Sequence, residues 1–137
     1  MIGNSAAVLQ GAPVTTVDVD FLFRKTPTNL RKLKKIAASL DALLLRPYYP
    51  ASDLYRLMRD DDSLQIDFMG TIHGVRSFES LRSRAQRVEF DGHSLLVASL
   101  GDIIKSKKAA GRAKDRAVLQ LLEKTLYEKE NHKEGKA

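Results

Sequence analysis

The sequence predicts an α+β fold: a small mixed β-sheet with helices packed on one side. Three observations lead there. Residues 17–23 and 64–69 alternate apolar and polar side chains with a period of two, which is the pattern of strands. Residues 30–44 and 118–126 instead repeat leucine and other apolar residues every three or four positions, which is the pattern of amphipathic helices. Asp91-Gly92 separates two short runs, 87–90 and 93–97, as a hairpin turn would. The chain has 137 residues, 43% hydrophobic and 29% charged, enough for one core and cramped for two. A single domain over residues 1–127 is expected, followed by a polar tail, 128–137, that frays.

The elements follow in order. Residues 2–11 hold a run of small side chains, Gly3, Asn4, Ser5, Ala6 and Ala7, and Gly11-Ala12-Pro13 marks a turn. In the first strand Val17, Val19, Phe21 and Phe23 face one way, and Asp18, Asp20 and Leu22 the other. Thr26 followed by Pro27 is a helix start, with threonine as N-cap and proline in the first turn. Leu30, Leu33, Ala37, Leu40 and Leu44 continue the helical spacing, so the helix is expected to run to about Arg46, stopped by Pro47 and Pro50. Residues 51–63 carry no clear pattern, and Asp60, Asp61 and Asp62 read as a solvated turn. The second strand carries Leu64, Ile66 and Phe68 on one face and Gln65, Asp67 and Met69 on the other. A turn at 70–74 and a short helix at 78–85 come before the hairpin. Ser99 with Asp102 three residues on is a capping pair for a helix ending near Ala110, where Gly111 breaks it. A last helix starts near Lys114, with Val118, Leu121, Leu122 and Leu126 on one stripe.

Composition excludes several functions. There is no cysteine, hence no disulfide, thiolate metal site or cysteine nucleophile, and a reducing cytoplasm suits the chain. No run of about 18 apolar residues is present, so no membrane span is expected. Serine and histidine show no pairing that would make a hydrolytic triad. His73 and His93 each adjoin a turn glycine and read as surface residues, and His132 lies in the tail. Tyr48, Tyr49 and Tyr55 read as loop packing, with base stacking as the other use of such rings. The net charge of +6 favours polyanionic or phosphate-bearing partners.

The acidic strand carries the chemistry. Asp18 and Asp20 project to the same face, about 6–7 Å apart along the strand. Like charges at that spacing repel, and burying them costs solvation, unless a cation is bound between them. Oxygen donors alone suit Mg²⁺ or Mn²⁺. Asp67 lies on a separate strand and joins the same cluster if the two strands are neighbours. The small-residue segment at Gly3 could bring backbone N–H groups to a phosphate if it opens a helix. Lys105, Lys107, Lys108, Arg112, Lys114 and Arg116 crowd a short later stretch, with Asp115 among them. Such a run is usually a solvated face, but Asp115 and the apolar helix that follows leave room for part of it to point inward.

The ordered set I-G-N-S-A-A-V-L-Q-G-A-P-V-T-T-V-D-V-D-F, Asn29-Leu30, I-D-F-M and S-L-G-D-I-I-K-S-K-K-A-A-G-R-A-K-D spans residues 2–115. It resembles the nucleotidyltransferase superfamily of polymerase-beta-like fold, most closely its small stand-alone branch that includes bacterial toxin and phage-defence enzymes. Thr16 ahead of Asp18 also matches that pattern. The resemblance implies a nucleotidyltransferase-like sheet whose N-terminal strand is short or missing here. It implies Mg²⁺-dependent transfer of a nucleotidyl group from an NTP, such as ATP, to a hydroxyl acceptor, with tRNA or other RNA among the candidates. Asp18, Asp20 and Asp67 would be the metal ligands and catalytic acids, with Lys105 neutralising charge on the phosphates. Gly3, Asn4, Ser5, Lys108 and Arg112 would hold the nucleotide, and Asp115 matches an acidic position of the C-terminal helices. Position 4 is asparagine where that family has a second glycine or a serine. The alternative is an inactive domain of the same kind that binds RNA or a protein partner, such as an antitoxin, through its basic helices.

Overall fold

A computed structural model describes residues 1–46 and 53–134, and it is a mixed α+β structure of eleven elements. In chain order these are α1 (Gly3–Leu9), β1 (Val19–Leu22), α2 (Pro27–Ser39), β2 (Leu43–Leu45), β3 (Leu54–Arg59), β4 (Leu64–Met69), α3 (Phe78–Arg84), β5 (Gln86–Phe90), β6 (His93–Val97), α4 (Leu100–Ala110) and α5 (Ala113–Glu134). One sheet has the order β1-β4-β3-β2, and β5 and β6 form a separate hairpin. β1 and β4 are parallel, while β3 is antiparallel to both β4 and β2. In place of an N-terminal strand there is a single bridge: Ile2 N–H donates to Asp20 O at 2.8 Å. Ala98 N–H donates to Met1 O at 2.9 Å, so residues 1–2 tie the sheet to the end of the hairpin.

Local signals set most boundaries. Thr26 Oγ1 accepts from Asn29 N–H at 3.1 Å and starts α2, and Ser77 Oγ does the same for α3 by accepting from Ser80 N–H at 3.1 Å. Ser99 Oγ accepts from Asp102 N–H at 3.1 Å and starts α4, which Gly111 ends in the left-handed conformation. Three boundaries differ from expectation. The first strand, expected over 17–23, covers only Val19–Leu22 and leaves Asp18 in a bend before it. The helix expected to reach Arg46 stops at Ser39, Asp41 turns the chain at φ 52°, and Leu43–Leu45 become β2. These leucines pair with Arg56, Leu57 and Met58, so an edge of the sheet claims a segment whose spacing alone reads as helix. The tail expected to fray from Glu128 is helical to Glu134. Its glutamates and lysines are strong helix formers, and Lys129 Nζ donates to Gln86 Oε1 at 3.2 Å. Tyr48 and Tyr49 lie outside the described residues.

Helices cover both faces of the sheet, not one. On the face that carries Leu22 lies the main core, built from Ile2, Ala6 and Ala7 with Leu81, Val97, Leu100, Ile103, Ile104 and Leu122. Alternation sends Phe21, Phe23, Phe68, Tyr55 and Leu57 to the other face. Phe21 stacks on Phe68 there, with ring centroids 5.3 Å apart. Leu33, one of the two buried side chains of α2, lines the same cavity as Phe23 and Phe68, so α2 covers that face. The reason is compositional: both strands bear apolar residues on each face, so a one-sided sheet would leave an aromatic surface in water. Among the described residues no helix is long and apolar enough to cross a membrane.

Candidate functional site

The parallel register of β1 and β4 sets Asp20 beside Asp67, as it sets Val19 beside Ile66. Side chains paired in this way project to one face. Asp18 lies two residues before Asp20, in a bend where Thr16 Oγ1 donates to Asp18 O at 2.7 Å. The register therefore brings Asp67 beside Asp20, and Asp18 is near enough to Asp20 to act on its charge. Their electrostatics show it: burial raises the Asp20 pKa above its ordinary value, and repulsion from Asp67 and then Asp18 adds to the shift. Lys107 and Lys114 act in the opposite direction.

Asp67 has a protein cation already. Arg56, its register partner on β3, donates from Nε to Oδ1 at 2.8 Å and from Nη2 to Oδ2 at 3.2 Å. Gln65 Nε2 adds a donor at 3.4 Å. The carboxylate is only 10% exposed, so this two-pronged ion pair keeps it satisfied. Among the described residues no three His, Asp or Glu side chains are grouped to hold a metal ion unaided. Asp18 and Asp20 both line a cavity of about 470 Å³, and their donor chemistry fits a hard divalent cation whose other ligands are water or phosphate oxygens. Asp67 would join them only by exchanging Arg56 for that cation.

The glycine segment places Gly3 at the first residue of α1, with φ 66°. A Cβ there would lie 3.0 Å from Asp20 Oδ2, so glycine lets the acid and the helix start approach. Asn4 also lines the cavity, and its Nδ2 donates to Thr15 O at 3.4 Å. Ser5 is buried and structurally engaged: its hydroxyl donates to Ile2 O at 2.9 Å and accepts from Asp20 N–H at 3.4 Å. The hydroxyl expected to hold phosphate instead ties α1 to β1.

Among the basic residues the structure makes a different selection. Lys105 is exposed and does not line the cavity, and Lys108 is exposed and pairs with Glu123 at 2.9 Å. Lys107 points inward, 12% exposed, with Nζ 3.8 Å from Asp115 Oδ1. Burial lowers its pKa, and Asp115 resists that shift. Arg112 lines the cavity as expected and grips Asp115, Nε to Oδ2 at 2.6 Å and Nη2 to Oδ1 at 3.2 Å. Asp115 is 1% exposed; burial works to raise its pKa, yet the bonds from Arg112 hold it below the usual carboxylate range. Lys107 and Arg56 are the residues the sequence reading passed over. Lys107 had a signal: it continues the buried stripe of Leu100, Ile103 and Ile104 at helical spacing. Arg56 had none, because only strand pairing puts it opposite Asp67.

The site is thus one cavity lined by Asp18 and Asp20 at the edge of the sheet and by Lys107, Arg112 and Lys114 from the end of α4 to the start of α5. Comparison with protein-family models gives no match to this chain, and comparison with curated proteins gives none.

Proposed function

We propose that the chain transfers a nucleotidyl group from an NTP to a hydroxyl acceptor, with RNA, including tRNA, as the acceptor class. The observation that carries this reading is a cavity lined by Asp18 and Asp20 together with Lys107, Arg112 and Lys114, with Asp67 the strand neighbour of Asp20. Reactions at phosphate need positioning and charge neutralisation more than covalent help from the protein. Asp18 and Asp20 would hold Mg²⁺ or Mn²⁺, which when bound supplies charge neutralisation at the triphosphate. Lys107 and Arg112 offset the remaining phosphate charge in a partly dry site, and Gly3 leaves room for the approach. A cation held by Asp18 and Asp20 would relieve the burial and the repulsion from Asp67 and Asp18 that disfavour the charged form of Asp20. Asp67, pinned by Arg56, sets the field around Asp20.

The test is label transfer from an α-labelled NTP to total RNA with Mg²⁺ present. Asp18→Asn should reduce transfer by roughly a hundredfold or more while leaving the circular dichroism spectrum unchanged. Unchanged transfer would refute the assignment. One observation favours a second reading: Arg56 satisfies Asp67 as an internal cation would. On that reading the domain is inactive and binds RNA or a protein partner, such as an antitoxin, through its basic helices. A wild-type chain that retains RNA or co-purifies with a partner, yet transfers no label, would decide for it.

A further inference from the structure

A second cavity, about 280 Å³ in volume, lies between α2 and α3 at the end of β1, away from the three acids. Its floor is aromatic, formed by Phe23, Phe68 and Phe78, and its rim is basic, formed by Arg24, Lys32 and Arg82. We propose that this cavity and the adjoining face of α2 bind single-stranded nucleic acid, an unpaired base entering the cavity and the phosphates following the helix.

Charge complementarity commits the surface to that occupant. α2 holds Arg31, Lys32, Lys34 and Lys35 and no acidic residue. Among the described residues none of these four, nor Arg82, is in an ion pair. Arg24 is the matched cation of the rim: it pairs with Glu79 at 2.7 Å and lies over the Phe78 ring, 4.9 Å from the centroid. Positive charge continues past the cavity, since Lys35 lies one turn beyond Lys32, so the surface suits a chain of phosphates better than one phosphate. The floor adds what a charged surface alone lacks. Flat rings beside guanidinium groups receive unstacked bases whatever their sequence. A duplex keeps its bases paired and cannot fill the cavity. This goes beyond the acid site and stands without it, because binding is measured with neither NTP nor metal.

The experiment is fluorescence anisotropy of the full chain with an unstructured, labelled RNA of about 12 nucleotides. The variant K32Q/K35Q/R82Q, with circular dichroism to verify its fold, should lose roughly tenfold or more in affinity at about 0.1 M salt. Its log affinity should also fall less steeply with log salt, by about 2 in slope. The wild type should bind duplex RNA and inorganic polyphosphate more weakly than the single strand. Unchanged affinity in the variant overturns the proposal. So does an equal loss in K105Q/K108Q, which would mean diffuse attraction. Polyphosphate binding as tight as RNA, or a preference for phosphatidylserine vesicles or polyglutamate, overturns it as well.

Discussion

Asp20 is the residue where the chain stores its charge conflict. It lies beside Asp67 and two residues from Asp18, and burial adds to the strain of ionising it. A carboxyl whose folded-state pKa is raised binds protons more tightly in the folded than in the unfolded chain. The folded state therefore loses stability as pH rises from the unfolded pKa through the folded one. Asp20→Asn should raise the melting temperature by a few degrees near pH 7, and the gain should shrink at about pH 4, close to the ordinary aspartate value, because the raised pKa favours the protonated form of the wild-type carboxyl there. Thermal unfolding at both pH values checks this. If Asp18 and Asp20 hold a divalent cation, added Mg²⁺ or Mn²⁺ should raise the melting temperature of the wild type and leave that of Asp20→Asn unchanged. Arg56 and Asp67 show the complementary solution, in which a charge is buried with its partner.

Elements here are held by caps and by register more than by intrinsic propensity. α4 is the clearest case. Ser99 Oγ accepts from Asp102 N–H, and the Asp102 carboxylate accepts in turn from Ser99 Oγ at 3.1 Å and from Arg84 Nε at 2.8 Å. Ser99→Ala should cost about 1 kcal/mol, read from the denaturant midpoint, because it removes the cap and one partner of a buried carboxylate. Gly74 approaches the same helix from outside: a Cβ at φ 73° would sit 2.8 Å from Lys105 O. Register acts where caps do not. β2 exists because β3 offers Leu57, fully buried, as a partner, although three consecutive leucines after a helix carry no strand signal of their own.

At the scale of the whole molecule, α5 joins the parts. Leu122 is 0% exposed and belongs to the core that contains Leu22 of the sheet, Val97 of the hairpin and Ile103 of α4. Leu122→Ala should destabilise the protein by about 3 kcal/mol, the transfer loss plus the cavity left behind. Because sheet, hairpin and helices share this core, the unfolding curves from circular dichroism and tyrosine fluorescence should shift together. A change in one curve alone would mean that the sheet and the C-terminal helices unfold as separate units. The same packing carries Lys107, Arg112 and Asp115 to the wall of the cavity that Asp18 and Asp20 also line.

The sequence by itself determined the α+β class, both acid-bearing strands, the hairpin and the helix caps at Thr26 and Ser99, and it singled out Asp18, Asp20 and Asp67 as candidates. Each of those is a local pattern of period, cap or turn, written within a few residues. Only the tertiary structure decided that Asp20 and Asp67 are neighbours, that Arg56 holds Asp67, and that Lys107 rather than Lys105 or Lys108 enters the cavity. It also decided that Leu43–Leu45 form a strand and that helices cover both faces of the sheet. Those facts depend on which distant segment pairs with which, and a side chain's direction in space is set by that pairing.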